Sequence, residues 1–415
     1  MRPRTGIVTA GLIGIFGGLV VFGLVVSSGG TLSEAWVSDT PRDNQVNHHA
    51  VGVGPDGNVI VAPVAEVPHN DVPITNTSCA LVRLAPDSGS APWRAGMPAA
   101  DCYTHALTEP AIEDIDGDGT LEVVVSTTEN ALITYDARTG TEEWRVPLTT
   151  YGYGRPTIGN VTSTAGPEIV TSDISGGVVA THENGSVAWR FSTNTTESDG
   201  VSVWEAPIID DVDGDSRQEV LIGSSEGPLL LSAEGTVEWL RNGSATYITA
   251  AQSDDDDALE VFTAGTSAIR AYDGTSGDPT WSRSLSNGRI RTAADADGDG
   301  TVELYVARVG GEILALDAET GETEWSTSIS RSEDAITPSP VLGDVNGDGR
   351  PEVIAVVNTG SVAVLDAESG AELARYGREV PIWTFATPAD IDDDGRVEVL
   401  VRYGDGRVVA LDYES

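Results

Sequence analysis

The acidic stretch DIDGDGTLE (residues 114–122) sets carboxylates at its first, third, fifth and ninth positions, and the chain keeps returning to it. DVDGDSRQE (211–219), DADGDGTVE (295–303), DVNGDGRPE (344–352) and DIDDDGRVE (390–398) repeat the spacing. NVTSTAGPE (160–168) and QSDDDDALE (252–260) are decayed copies. The step is roughly 40 to 50 residues, a period that belongs to propellers and arrays of one supersecondary unit.

A second repeat runs in phase with the first. ITYDARTGTEEW (133–144), RAYDGTSGDPTW (270–281), LALDAETGETEW (314–325) and AVLDAESGAELA (363–374) each read as a short alternating strand, an Asp-x-x-Thr/Ser-Gly turn and a further strand, usually with tryptophan. Between the acidic loop and this hairpin lies a β-branched run such as EVVVST or EVIAVV. Each unit is therefore four strands: A before the acidic loop, B after it, C before the glycine turn, and D. Four antiparallel strands per repeat make one propeller blade.

The chain ends agree with this register. The last acidic loop is followed by a B strand (VEVLVRY) and a C strand (RVVALDY), and the sequence stops at Ser415 without a D strand. Near the start, SEAWVSD (33–39) is a D-like strand with no A, B or C before it. This strand is expected to complete the last blade and close the ring, which hides both sheet edges. Counting from Val46 gives an all-β, eight-bladed propeller of four-stranded antiparallel blades over residues 33–415. Trp36, Trp93, Trp144, Trp189, Trp239, Trp281 and Trp325, seven of the nine tryptophans, fall at the D position, and Ala374 stands there in the seventh blade. Rings so placed are expected to fill the wedges between blades rather than to stack on a ligand.

The LDAETGETEW hairpins resemble the pyrroloquinoline-quinone repeat of quinoprotein dehydrogenase propellers and of non-enzymatic scaffold propellers in bacterial envelopes. The GDVNGDGRPEVI segments resemble the FG-GAP-type calcium-binding repeats of integrin α-chain propellers. Together the two resemblances span most of the chain and imply fold more firmly than function.

Calcium takes about six to eight oxygens and is wrapped by a short loop whose alternate side chains point inward. The expected ligands, with about five ions bound, are Asp114, Asp116, Asp118, Thr120 and Glu122; Asp211, Asp213, Asp215 and Glu219; Asp295, Asp297, Asp299, Thr301 and Glu303; Asp344, Asn346, Asp348, Arg350 and Glu352; and Asp390, Asp392, Asp394, Arg396 and Glu398. Threonine and arginine would contribute backbone carbonyls. The spacing does not fit an EF-hand, whose closing glutamate comes at position 12. In the 211–219 loop Ser216 replaces the expected glycine. An acid-rich surface turn is the competing reading, but the runs keep apolar residues at fixed places between the acids. The metals are expected to be structural, because no loop offers an open coordination site beside a base.

The formal net charge is -42 and the 23 basic residues are all arginine, so nucleic acid and anionic lipid headgroups are excluded as partners. Hydrophobic residues still make up 40% of the chain, enough to bury a core. An acidic, lysine-free surface resembles that of proteins from brine, where screening suppresses self-repulsion, and implies a halophilic archaeal source. Residues 1–30 read as a membrane anchor or signal sequence: Arg2 and Arg4 precede an uncharged apolar run, 6–26, of about membrane-spanning length. That charge asymmetry favours a single-pass protein with its propeller extracellular, or a secreted one if the segment is cleaved. Cys79 and Cys102 would pair in such a compartment, or remain as buried thiols. Sequons at Asn76, Asn160, Asn184, Asn194 and Asn242 permit glycosylation.

Calcium loops and glycine turns fall on one face of such a ring, and the longer connections into each strand A on the other. Aligned on the acidic loops, Tyr153, Trp204 and Trp383 share one position before strand A, and Glu109, Arg155 and Phe385 lie two residues beyond it. These six are the ligand-binding candidates at the channel mouth, with a packed plug as the alternative. His48, His49 and His105 lie near the first two A strands. No catalytic residue is assigned: the cysteines are not adjacent as in quinoprotein dehydrogenases, and GSSEG (223–227) sits in a B-to-C turn without a following helix. The expected function is a non-enzymatic, calcium-stabilised binding or scaffold module for an envelope protein or surface glycan; the alternative is an extracellular propeller enzyme acting on polysaccharide or alcohol.

Overall fold

The computed structural model describes residues 29–40, 49–66, 78–103, 105–193, 200–254 and 256–415. The apolar run 6–26, Val46, His48, Asn76 and Asn194 lie outside the described residues. Strands pair into eight four-stranded antiparallel sheets, one per repeat. Blade 2, for example, is Ala111–Glu113, Glu122–Thr127, Ala131–Asp136 and Glu142–Pro147; blade 6 is Arg289–Ala294, Glu303–Arg308, Glu312–Asp317 and Thr323–Ser328.

Blade 8 is built from both chain ends. Thr387–Ala389, Glu398–Arg402 and Val408–Glu414 supply its inner strands, and Thr31–Val37 pairs antiparallel with Val408–Glu414 as its outer one. The closing strand thus begins and ends two residues before the expected 33–39. Antiparallel pairing from Thr31 against Glu414 to Val37 against Val409 covers the otherwise open edge of Val408–Glu414 and gives blade 8 the fourth strand that the other blades have.

Burial follows position in the blade. B strands such as Glu122–Thr127 and Glu352–Val357 are buried at every residue, because neighbouring blades cover both of their faces. The outer strand Glu142–Pro147 is largely exposed. Between blades the apolar side chains interdigitate: Ile354 and Val364 of blade 7 meet Val399, Val401 and Leu411 of blade 8 in one cluster.

The D-strand tryptophans are struts between blades. Each indole N–H donates to a backbone carbonyl of the next blade: Trp36 to Pro86 at 2.6 Å, Trp144 to Glu183 at 2.9 Å, Trp239 to Gly274 at 2.7 Å and Trp325 to Ala367 at 2.7 Å. The ring lies on the glycine of that blade's C-to-D turn. A Cβ on Gly370 would come 2.4 Å from the Trp325 ring, and Gly370 has φ +67°, so glycine is needed there for space and conformation alike. Ala374 is the exception for a physical reason. The strut of blade 7 would face blade 8, where the chain ends take the place of a C-to-D turn, and the equivalent carbonyl, that of Tyr413, accepts from Arg396 instead at 2.9 Å.

Cys79 and Cys102 form a disulfide across 23 residues, with Cα atoms 5.5 Å apart, tying a central strand of blade 1 to the segment leading into blade 2. Asn160, Asn184 and Asn242 are all exposed. Among the described residues no helix is long and apolar enough to cross a membrane.

Candidate functional site

Each acidic loop spans strands A and B. Its last glutamate opens strand B, is buried, and accepts the N–H of the second loop residue: Ile115 to Glu122 at 2.9 Å, Val212 to Glu219 at 3.0 Å, Val345 to Glu352 at 3.0 Å, Ile391 to Glu398 at 2.9 Å. The aspartates fold the loop around themselves. Asp114 accepts from Gly117 at 2.8 Å and Gly119 at 3.0 Å, and Asp116 from Asp118 at 3.1 Å. Where serine replaces glycine, Ser216 takes a left-handed φ of 69° and still donates to Asp211 at 3.0 Å, keeping the loop shape at a conformational cost.

Four of the expected sets are brought together with ligand oxygens within 4.8 Å: Asp114, Asp116 and Glu122; Asp211, Asp213 and Glu219; Asp295, Asp297, Asp299 and Glu303; Asp390, Asp392 and Glu398. The decayed copy adds another, Asp254, Asp256 and Glu260. Asp118, Asp215 and Asp394 stand outside these groups. Their oxygens accept from the N–H groups of Thr120 at 2.7 Å and Arg217 at 2.8 Å, and from the Arg396 guanidinium at 3.0 Å. In the 344–352 loop the third position is Asn346, so only two of positions one, three and nine are carboxylates, and the Asn346 amide donates to Glu352 and Asp348.

The decayed 160–168 loop serves as an internal control for cation binding. There threonines replace the inner acids, and Glu168 Oε1 accepts from the Thr162 hydroxyl at 2.6 Å, the Thr164 hydroxyl at 2.8 Å and His182 at 3.2 Å. Burial alone would raise its pKa, but the Thr162 and Thr164 hydroxyls, with the N–H groups of Thr162 and Val161, outweigh burial and hold Glu168 below the usual carboxylate range. In the acid-complete 295–303 loop, Glu303 Oε1 is buried with no hydrogen-bond partner. Burial, with nearby aspartates adding, pushes Glu122, Glu219, Glu303, Glu352 and Glu398 up to about 7. An all-oxygen donor set with an unanswered buried acceptor fits a hard cation.

At the opposite end of the A strands, a cavity of about 460 Å³ opens at the channel mouth, and all eight blades line it through the segments that lead into strand A or through the first residues of that strand. Glu109, Tyr153, Arg155, Trp204, Trp383 and Phe385 all reach it. Short bridges hold these segments: Gly152 pairs with Asp173 just before Tyr153, and Ile382 with Tyr403 just before Trp383. A Cβ on Gly154 would lie 2.4 Å from the Glu205 carbonyl carbon, so glycine lets two lead-ins touch. Tyr153 packs edge-on against Trp204 at 5.1 Å, and against His49 and His105 at 4.7 Å each, so the two histidines border the mouth through an aromatic cluster.

Four mouth residues escaped the loop alignment: Glu205, Tyr247, Arg289 and Arg291. Tyr247 stands five residues before the decayed 252–260 loop, the offset of Glu109 and Phe385, and was findable there. The arginines were not. In blade 6 both Arg291 and Thr292 oppose Tyr305, a bulge that re-aims side chains away from the alternation. Arg291 joins Glu109 at 3.4 Å and Glu205 at 3.9 Å, and lays its guanidinium 3.6 Å from the centre of the Phe385 ring. Burial, with Glu109 adding and Arg291 and Arg289 opposing, pushes Glu205 up to about 7. A second cavity of about 330 Å³ shares Glu109 and Arg155 and continues along the A strands.

Ring, loops and mouth define a closed eight-bladed propeller with a lined axial pocket. The chain belongs to the family of the outer membrane protein assembly factor BamB, whose pattern matches residues 78–253 and 265–415. BamB from Moraxella catarrhalis is similar in structure, with a TM-score of 0.60 and 17% identity over 92% of this chain and 98% of that one. Quinohemoprotein alcohol dehydrogenase from Comamonas testosteroni aligns at a TM-score of 0.65 and 13% identity, over 92% of this chain and 76% of that one. The computationally designed protein Ika8 aligns at 0.61 and 13%, over 92% and 99%. No curated protein matches the chain in sequence. At these identities the structural likenesses establish the fold.

Proposed function

We propose that this protein is a non-enzymatic recognition module of the cell surface, a calcium-stabilised propeller tethered by residues 6–26 that offers its channel mouth to an envelope protein or a surface glycan. The observation that carries the reading is the convergence of side chains from all eight blades on one cavity, at the end of the ring away from the acidic loops. A family named for an assembly factor of the outer membrane supports a role in the envelope. The oxygen donors and the orphaned Glu303 acceptor support the choice of calcium, and the acidic, lysine-free composition supports a home in concentrated salt. Exposed sequon asparagines are compatible with glycosylation.

One observation favours the enzyme reading: two carboxylates, Glu109 and Glu205, face the same cavity, as glycan hydrolysis requires. Arg291 nevertheless contacts both, so a guanidinium occupies the ground where a scissile bond would have to lie. Quinone chemistry lacks its adjacent cysteines, since Cys79 and Cys102 are bonded to each other among side chains of blades 1 and 2. The test passes a cell-envelope fraction over the immobilised full-length chain and over its Trp383→Ala variant. Retention by the first and not the second supports recognition at the mouth. Equal retention, or turnover of polysaccharide or alcohol by the unmodified chain, refutes this reading.

A further inference from the structure

We propose that the channel mouth is a receptor site for a carboxylate-bearing sugar, a hexuronic acid unit of a glycan, with Arg289 and Arg155 receiving the carboxylate; the assignment rests on the recognition role given above and names its ligand class. The charge balance is unusual for this chain. On a molecule with a formal net charge of -42, the pocket gathers Arg155, Arg289 and Arg291 against only Glu109 and Glu205. With both glutamates ionised the local excess is one positive charge, which suits a monoanion better than a phosphate dianion that the two glutamates would repel. Because the acidic body repels anions at long range, selection must come from contacts inside the pocket, where salt screens least.

The arginines differ in how far they are committed. Arg291 is held by Glu109, Glu205 and the face of Phe385. The Arg289 guanidinium makes no hydrogen bond or ion pair among the described residues; its ring contact is Tyr247, 5.8 Å from the guanidinium carbon. Arg155 approaches Glu109 only at 3.9 Å, beyond hydrogen-bond range, and its buried Nε has no partner. Guanidinium donors fit a planar carboxylate in a two-pronged fork, and a buried donor left unanswered is costly until such a group arrives.

The remaining walls suit a sugar ring. Tyr153, Trp204 and Trp383 line the cavity with aromatic surface on which the apolar C–H side of a pyranose can pack, and Glu109 and Glu205 can accept its hydroxyls. A volume of about 460 Å³ lies within the range of small-ligand cavities. Capture of a peptide C-terminus would draw instead on a nest of backbone N–H groups.

Trp204 and Trp383 line the pocket, so intrinsic fluorescence of the full-length chain in detergent and concentrated salt reads binding directly. The probes are galacturonic acid and its short oligomers, galactose, galactose 6-sulfate, and a short peptide with a free or an amidated C-terminus. The expected result is binding of the uronates with galactose at least about tenfold weaker, and a loss of at least about tenfold for Arg289→Gln at an unchanged melting temperature. Equal binding of uronate and galactose, indifference to Arg289→Gln, or preference for the sulfate or the free peptide each overturns the uronate assignment. So does the absence of binding by every probe. If envelope material is still retained by the unmodified chain and lost by Trp383→Ala, only the ligand class falls; if retention fails too, the recognition role falls with it.

Discussion

Removing divalent metal is expected to destabilise the propeller more at pH 8 than at pH 5, and the sign follows from the buried glutamates. Glu303 is raised from the ordinary value of 4.5 to about 7, chiefly by burial. Without metal, the folded chain keeps a proton there that the unfolded chain releases above pH 4.5. Stability therefore falls as pH rises from about 5 to about 7 and stays low above. For one such group the loss is roughly 3 kcal/mol. Glu122, Glu219, Glu352 and Glu398 are raised alike, to about 7, so the metal-free ring carries several such costs in separate blades. Local relaxation absorbs part of each, so the loss of a single group, roughly 3 kcal/mol, is the minimum expected, or about 3 to 4 °C in melting temperature for a chain this long. A bound cation answers the ionised carboxylates and flattens the dependence. The assay is thermal unfolding in concentrated salt, with calcium or with a chelator, at both pH values, alongside metal analysis of the dialysed protein. Glu303→Gln should narrow the gap between the two conditions, whereas Glu168→Gln should leave it unchanged, because Thr162, Thr164 and His182 already satisfy Glu168. A gap equal at both pH values, a gap larger at pH 5, or no bound metal would refute the reasoning.

Three further outcomes are expected. Trp325→Ala should cost about 3 to 5 kcal/mol in denaturant unfolding, because it empties the wedge over Gly370 and leaves the Ala367 carbonyl without its donor, while Ala374→Trp should give no gain. Reducing the Cys79–Cys102 bond, which closes a span of 23 residues, should lower stability by roughly 3 kcal/mol, read from the shift in denaturation midpoint with and without reductant. Deleting residues 31–37 leaves blade 8 with three strands and an open edge, so size-exclusion chromatography should reveal oligomers in place of a single monodisperse peak.

What the sequence determined by itself was the local, repeating part of this protein. The spacing of acids recurs in five blades, the glycine turns in every blade but the closing one, and the period of the strands throughout, and each is written in neighbouring residues. Ring closure was legible too, because the strand missing after Tyr413 and the surplus strand around Trp36 are complementary. Even the loss of tryptophan at Ala374 has its explanation at that seam. Tertiary structure decided what no repeat encodes. Whether Cys79 and Cys102 pair depended on two segments meeting at 5.5 Å. The burial of Glu303, and with it the raised pKa, depended on neighbouring blades closing over strand B. The mouth depended on the ring itself: Arg291 and Glu109 are 182 residues apart and meet only because the blades curve back on one another. A bulge opposite Tyr305 then turned Arg291 out of the alternation that predicts side-chain direction. Repetition makes a scaffold readable from short range, and the chemistry that distinguishes one scaffold from another lies where its irregular segments converge.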